Sequence, residues 1–171
     1  MKLFILLSLL FVFQNAFGKT IDLSQIKEIS SHPKKKVFIF ISATCPCSQK
    51  SLAHLEELSK KYKDYDFYGV NETSQMPGFE AQIFFKNKGI DFSILQDRQF
   101  KIADAFKAVK TPHAFILNEK NEVLFEGGVT NLTDISRADE LYLLNALVES
   151  SENKIITKPQ ARALGCYIKR D

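Results

Sequence analysis

The chain has 171 residues, a formal net charge of +3 and 45% hydrophobic residues, among them fifteen Phe and no Trp. This length is sufficient for one domain with a hydrophobic core. The small net charge argues against the strongly basic surface of a nucleic-acid-binding protein, so we expect no nucleic-acid partner.

Residues 1–18 have the pattern of a secretory signal peptide. Lys2 precedes an uncharged apolar run over 3–13, and Ala16 and Gly18 place small residues where a signal peptidase cleaves. The run is shorter than the ~20 residues of a membrane-spanning helix. We expect cleavage after Gly18 and export to the periplasm or the cell exterior. The alternative is an uncleaved N-terminal anchor, which would be the chain's contact with a membrane.

The first predicted elements after the leader are a buried strand and a helix. Residues 37–41 are continuously apolar and rich in β-branched and aromatic residues, which predicts a strand buried on both faces. Pro46 suits the first turn of a helix. The apolar face of this helix is predicted to carry Leu52, Leu55, Leu58 and Tyr62, and the opposite face Glu56 and Glu57 with their Lys partners four residues later.

The remaining elements alternate between strands and helices up to a final hairpin. We predict strands at 66–70, 92–95, 113–117 and 122–125 and helices at 77–88 and 99–107. Phe79, Ile83 and Phe84 lie on one side of the first of these helices. Ser136 and Asp139 resemble a capping box that opens a last helix, whose apolar face carries Ala138, Leu141, Leu144 and Val148.

This order of elements predicts an α/β fold. Strands that alternate with helices form a parallel sheet, and the late hairpin adds antiparallel edge strands, so we expect a mixed central β-sheet flanked by helices on both faces. The predicted domain spans residues 19–151. Residues 152–171 form a C-terminal tail that carries Cys166.

Three cysteines provide the candidate chemistry: Cys45, Cys47 and Cys166. An odd number in an exported chain leaves at least one thiol free, cycling or paired outside the chain. Cys45 stands between the buried strand and the helix, where unpaired N–H groups and the helix dipole favour a thiolate over a thiol. Which cysteines pair is open. A Cys45–Cys47 ring would indicate a redox couple, and a bridge to Cys166 a resolving or structural role for the tail.

Several short motifs together resemble one superfamily. They are Cys45-Pro46-Cys47-Ser48 after the strand, Thr111-Pro112 before a later strand, and Gly165-Cys166-Tyr167-Ile168-Lys169 near the end. In this order the chain resembles the thioredoxin superfamily, and more narrowly its exported redoxin branch of peroxiredoxin-like proteins related to alkyl hydroperoxide reductase. The resemblance covers about residues 35–170, and it implies a thioredoxin-like fold.

The resemblance also implies roles for individual residues. Cys45 would be the attacking thiolate, with Cys47 or Cys166 as the resolving thiol and the tail folded back over the domain. Pro112 would be cis, and Thr111 would offer backbone groups to a bound sulfur or peptide. Ser42 would supply the hydroxyl that peroxiredoxins place three residues before the nucleophile, although Phe38 replaces their proline. Pro46, next to the nucleophile, would be one of the substrate-binding residues.

Four functions remain open at this stage. The leading hypothesis is an exported thiol–disulfide oxidoreductase that acts on protein thiols or disulfides, is recycled by an unidentified reductant and needs no cofactor. The second is a thiol peroxidase. The third is a Cu(I)-binding module that uses Cys45, Cys47 and His113, since soft thiolates suit cuprous ion. The fourth is a thioredoxin-fold binding domain without catalytic activity.

Overall fold

The computed structural model describes residues 19–24, 26, 29, 33–72, 76 and 78–170, so the predicted signal segment 1–18 lies outside the described residues. The strands are β1 (Lys35–Ile41), β2 (Tyr65–Glu72), β3 (Ser93–Asp97), β4 (Lys110–Thr111), β5 (His113–Leu117), β6 (Val123–Gly127) and β7 (Cys166–Tyr167). The α-helices are α1 (Pro46–Lys61), α2 (Gly78–Asn87), α3 (Lys101–Phe106) and α4 (Tyr142–Ser151). Among these helices, none has both the length and the apolar composition required to cross a membrane.

A five-stranded sheet with the order β3-β2-β1-β5-β6 forms the centre of the molecule. β1, β2 and β3 run parallel, and β5 and β6 are antiparallel to their neighbours. The predicted mixed α/β sheet is therefore confirmed. β5 is an internal strand, because it pairs with both β1 and β6, whereas the sequence predicted it at an edge. β4 and β7 form a separate two-stranded sheet.

The alternation of side chains along β1 divides the core into two layers. Val37, Ile39 and Ile41 lie in the layer that also contains the buried side chains of α1, α2 and α4. Phe38 and Phe40 lie in the other layer, with α3 and the aromatic ring of Phe115. Both faces of β1 are therefore buried, as its apolar sequence predicted.

In two helices the buried face is shifted from the predicted apolar face, although Phe84 and Leu144 of the predicted faces are partly buried against the core. In α2, Phe79 and Ile83 are 74% and 46% exposed, and Ala81 and Phe85 fill the core. α4 begins at Tyr142, not at the predicted capping box; Asp134 instead accepts a hydrogen bond from the Ser136 N–H in a short 3₁₀ turn. The buried positions of α4 are Leu143, Ala146, Leu147 and Ser150. Helical spacing permits either face, so contact with the sheet decides which is buried.

Glu56 is also a correction, since it is buried although the sequence predicted it on the outer face of α1. Its carboxylate accepts a hydrogen bond of 2.9 Å from the Asp91 N–H and forms an ion pair with Lys60. These contacts compensate the loss of water around the charge. Glu56 thereby fixes α1 to the segment that leads into β3.

Two segments of the chain cover the outer edge of β6. Near its start, the Val123 N–H donates to the Lys19 carbonyl, and Thr20 forms a bridge with Glu122. Near its end, the Ala161 N–H of the tail donates to the Glu126 carbonyl. These contacts use backbone groups near both ends of the edge that would otherwise be open to pairing with another chain. The tail contact also determines the path by which Cys166 returns to the domain.

Candidate thiol active site

Cys45 lies at the end of the turn that joins β1 to the N-terminus of α1. Its backbone is extended (φ −87°, ψ 115°), so it is the N-cap residue, and Pro46 is the first residue of the helix. The Cys45 N–H donates to the Ser42 carbonyl at 3.2 Å, and the Cys45 carbonyl accepts from Gln49 at 3.0 Å. The residue is 2% exposed. The unpaired N–H groups of the first turn of α1 and the positive end of its dipole therefore lie next to Cys45.

A disulfide joins Cys45 to Cys166 across a sequence separation of 121 residues, with the Cα atoms 6.0 Å apart. β7 sets this position, because it pairs antiparallel with β4 and places Cys166 opposite Thr111. The sequence left the pairing of the cysteines open, and the structure pairs the helix cysteine with the tail cysteine. Cys47 is free and half-buried.

Thr111 and Pro112 lie against the disulfide. Their peptide bond is cis, as the resemblance implied. The Thr111 carbonyl oxygen is 3.2 Å from the Cys45 Sγ, where it can accept a hydrogen bond from the thiol when the disulfide is reduced. The Thr111 backbone thus contacts the sulfur on one side and pairs with β7 on the other. Thr111 Oγ1 is buried with no hydrogen-bond partner among the described residues.

Ser42 stabilises the turn between β1 and α1. Its hydroxyl lies 3.1 Å from the Thr44 hydroxyl and accepts the Thr44 N–H at 3.3 Å, and its N–H donates to the buried Ser48 hydroxyl. The Ser42 hydroxyl therefore already makes two contacts within the turn. Ser48 was not among the site residues predicted from the sequence. Its place in the Cys-Pro-Cys-Ser motif could have indicated that it lies close to the active-site turn.

A pocket of about 340 Å³ opens beside the disulfide. Its lining comprises Ser42, Thr44, Cys45, Thr111, Cys166, Tyr167, Ile168 and Lys169. The predicted residues Ser42, Cys45, Thr111 and Cys166 therefore meet in one place. The contribution of the three residues after Cys166 was not predicted individually, because it depends on how the tail crosses β4.

His113 lies away from the sulfur atoms, on the other layer of the sheet. It pairs with Phe40 in the β1–β5 register, and its ring centroid is 4.5 Å from that of Phe115. It lines a separate pocket with Lys19 and Phe106. Because side chains alternate along a strand, the residue after Pro112 is directed to the α3 layer and not to the α1 layer. The proposed Cu(I) set of Cys45, Cys47 and His113 is therefore not assembled.

The buried His113 provides a pH prediction. Burial, with a smaller contribution from the positive charge of Lys19, lowers the pKa of the imidazole from 6.5 to about 4. Between these two values the unfolded chain binds a proton that the folded chain does not. We therefore expect the stability contribution of neutral His113 to be complete above pH 6.5 and to be lost as the pH falls toward 4, by about 3 kcal/mol in total.

Urea denaturation of the wild type and His113→Gln from pH 8 to pH 4 measures this effect. The variant keeps a neutral polar side chain that does not titrate, so the difference between the two unfolding free energies isolates the imidazole. Parallel pH curves for the two proteins would contradict the prediction.

Gly165 allows β7 to approach the active site closely. Its φ is +145°, and a Cβ atom at this position would lie 2.0 Å from the Thr111 carbonyl oxygen. That oxygen is the one that contacts Cys45. A side chain at residue 165 is therefore incompatible with the backbone approach that places Cys166 beside Cys45.

We expect Gly165→Ala to weaken formation of the Cys45–Cys166 disulfide. The methyl group displaces β7 from β4, so more of the purified protein should carry three free thiols, which thiol labelling and mass spectrometry would count. Gly89→Ala is the matched control, because Gly89 also has a positive φ (+81°) but open space around its Cβ position. Equal thiol counts in the two variants would show that contact with Thr111 does not control the bridge.

Comparison with known protein families identifies the chain. The model of the AhpC/TSA family matches residues 9–125, more than half of the sequence, and the match includes Cys45 and Thr111-Pro112. The chain belongs to the AhpC/TSA family. Cys166 lies beyond the matched region of this AhpC/TSA protein, so its pairing with Cys45 rests on the structure.

Individual relatives agree with this placement. Thiol-disulfide oxidoreductase ResA of Halalkalibacterium halodurans is 26% identical over 123 residues, which are 70% of this AhpC/TSA chain and 66% of that relative. The chain thus spans just under two thirds of the relative's length.

Solved structures support the fold. A hypothetical protein of Sinorhizobium meliloti has a TM-score of 0.73 at 20% identity and covers 81% of both chains. A secreted disulfide oxidoreductase of Mycobacterium tuberculosis has a TM-score of 0.53 at 15% identity over 70% of this chain and 83% of that one. Together with the observed topology, these similarities show that the AhpC/TSA chain has a thioredoxin-like fold.

Proposed function

We propose that the protein is a thiol–disulfide oxidoreductase whose redox-active pair is Cys45 and Cys166. The observation that carries the proposal is the disulfide itself: it links a cysteine at a helix N-terminus to the tail and lies against the cis Thr111-Pro112 peptide. The similarity to a relative named thiol-disulfide oxidoreductase supports this assignment. Cys45 is proposed as the nucleophile and Cys166 as the resolving thiol.

The proposed reduction proceeds in two exchanges. The Cys45 thiolate attacks one sulfur of a substrate disulfide, and the other substrate sulfur leaves as a thiolate while a mixed disulfide forms. The Cys166 thiolate then attacks the Cys45 sulfur, releases the second substrate thiolate and restores the internal bridge. Two electrons pass from the protein dithiol to the substrate. A reductant not identified by the sequence returns the pair to the dithiol.

The substrate is proposed to be a polypeptide in extended conformation. β7 shows how such a segment fits, because it pairs with β4 through backbone groups and positions a cysteine opposite Thr111. A substrate strand that displaces β7 during the first exchange would make the same backbone contacts and bring its own sulfur to Cys45, and β7 would return with Cys166 for the second exchange. Pairing through the main chain recognises an extended chain with little dependence on its side chains.

A trapping experiment tests the proposed roles. In the double variant Cys47→Ser/Cys166→Ser both thiols near Cys45 are absent and the second exchange is blocked, so we expect a mixed disulfide on Cys45 to accumulate when the reduced variant meets a denatured protein with disulfides. Peptide mapping by mass spectrometry would locate it. If no mixed disulfide forms and dithiothreitol fails to open the wild-type bridge, the bridge is structural and the protein is a binding domain.

Thiol peroxidase activity is the alternative outcome of the same chemistry. A Cys45 sulfenic acid condensing with Cys166 would give the same disulfide. Two features favour disulfide exchange over peroxide reduction: Phe38 stands where peroxiredoxins have a proline, and the Ser42 hydroxyl already contacts Thr44 within the turn. We expect the reduced protein to consume insulin disulfides faster than hydrogen peroxide at equal concentrations. The reverse order of rates would favour the peroxidase.

We also propose that the chain is exported and that residues 19–151 form the domain that the tail 152–171 completes. The N-terminal pattern of residues 1–18 supports export. The contacts of the tail with β6 and β4 support the second statement. Fractionation of cells that express the full chain, with N-terminal sequencing of the mature protein, tests export and cleavage after Gly18.

A further inference from the structure

All three cysteine side chains meet at the N-terminus of α1. The Sγ atoms of Cys45, Cys47 and Cys166 lie within 4.8 Å of one another. The proposed exchange uses Cys45 and Cys166 and gives Cys47 no role. We propose that the reduced protein binds one Cu(I) ion through the thiolates of Cys45, Cys47 and Cys166. This binding goes beyond disulfide exchange and does not depend on it.

The spacing of the sulfur atoms fits a three-coordinate ion. Three thiolates at a metal–sulfur distance of about 2.3 Å are about 4 Å apart when they surround one ion in a plane. The three sulfur atoms lie within 4.8 Å of one another, and reduction of the disulfide lets the Cys45 and Cys166 sulfurs move apart to this separation, so side-chain rotations complete the site. Thiolates are soft ligands, which select Cu(I) over the hard cations.

The number of ligands argues for copper over zinc. Structural zinc sites are tetrahedral and take four protein ligands. Among the described residues, the group at this position consists of the three cysteines, with no His, Asp or Glu as a fourth member. His113, considered from the sequence, lies on the other layer of the sheet. In the proposed site Cys166 is the third ligand, in the place that was predicted from the sequence for His113.

The tail is held in place on the C-terminal side of Cys166 by contacts other than the disulfide. The Ile168 N–H donates to the Val109 carbonyl at 3.0 Å, and the Ile168 side chain is buried in the core. The Arg170 guanidinium binds the Asp104 carboxylate and the Ala108 carbonyl. Reduction of the disulfide leaves these contacts intact, so Cys166 stays beside Cys45. The site is therefore largely preformed in the dithiol state.

The surroundings also suit an anionic copper–thiolate centre. Each thiol releases its proton to solvent on binding, so three thiolates and one Cu(I) carry two negative charges. The N-terminus of α1 and Lys169, which lines the same pocket, lie on the side where this charge develops. Cys45 is almost fully buried, and the half-buried Cys47 and Cys166 leave a path for the ion.

Copper binding and disulfide formation exclude one another, because the bridge consumes two of the three sulfur atoms. Cu(I) therefore stabilises the dithiol over the disulfide. We expect the midpoint potential of the Cys45–Cys166 pair to rise by about 30 mV for each tenfold increase of free Cu(I) above the dissociation constant, as a two-electron couple requires.

Titration of the reduced full-length protein with Cu(I) under anaerobic conditions tests the proposal. With bicinchoninate as the competing chelator, we expect one tightly bound ion per chain and none in the oxidised protein. X-ray absorption at the copper edge should show three sulfur neighbours. Cys47→Ser should weaken binding at least tenfold, with unchanged circular dichroism, and His113→Gln should leave it unchanged.

Three results would overturn the proposal. They are the absence of a one-to-one complex in the presence of the chelator, two-sulfur coordination in the wild type, and a Cys47→Ser variant that binds as tightly as the wild type. The absorption spectrum is recorded on the unsubstituted protein, so it decides the question even if a variant folds poorly. Failure of copper binding would leave the disulfide-exchange assays unaffected and the proposed oxidoreductase function intact.

Discussion

Cys45→Ser is expected to reduce the rate of disulfide exchange by at least about a thousandfold. Loss of a nucleophile that acts together with its partner removes nearly all of the catalytic effect. The serine hydroxyl stays at the N-terminus of α1 beside the Thr111 carbonyl, but it is not ionised near neutral pH and does not form a disulfide. The measurement is the rate of insulin reduction, followed by precipitation of the free B chain, with dithiothreitol as the reductant.

Ser59→Ala provides the matched control for this experiment. Ser59 lies on the same helix as the active-site turn, and its hydroxyl donates to the Glu56 carbonyl far from the sulfur atoms. The substitution also removes one polar group from α1. The rate of insulin reduction by Ser59→Ala should therefore stay within twofold of the wild-type rate. Residual exchange by Cys45→Ser at more than a tenth of the wild-type rate would exclude Cys45 as the nucleophile.

Phe115→Ala is expected to destabilise the fold by about 4 kcal/mol, within the range for truncation of a buried aromatic side chain. Phe115 is fully buried on β5. Its ring centroid is 5.0 Å from that of Phe106 and 5.7 Å from that of Phe40, so the substitution opens a cavity between α3 and the sheet. Guanidinium denaturation at pH 7 would measure the loss from the midpoint and slope.

Phe79→Ala provides the comparison, since it removes the same atoms from a side chain that is 74% exposed on α2. We expect the unfolding free energy to change by less than about 0.5 kcal/mol. A large loss in Phe79→Ala would mean that the exposed face of α2 packs against something in solution. A small loss in Phe115→Ala would contradict the placement of the second core layer.

The layered α/β fold was predictable because its signals are local. The apolar run at 37–41 has no polar position, so it predicts burial on both sides, and its β-branched and aromatic residues favour a strand over a helix. Pro46 directly after Cys45 fixes the start of α1, because proline fits the first turn of a helix. The alternation of strands and helices then requires parallel pairing on one side of β1.

The buried faces of the helices were less predictable, because two faces satisfied the same spacing. In α2, the pair Phe79 and Ile83 and the pair Ala81 and Phe85 are both four residues apart, and only the second faces the sheet. Glu56 was predicted outside for the same reason, since the contact that satisfies its carboxylate comes from Asp91, distant in sequence. Tertiary contacts therefore corrected the local prediction.

The sequence by itself determined that a cysteine stands at the junction of a buried strand and a helix, because strand burial and the helix start are properties of neighbouring residues. It did not determine the partner of that cysteine. The pairing of Cys45 with Cys166 depends on a tail that pairs with β4, with Gly165 close to Thr111. That arrangement joins residues 121 positions apart. No local pattern encodes such a contact, so only the tertiary structure decided which thiols meet and that His113 is not among them.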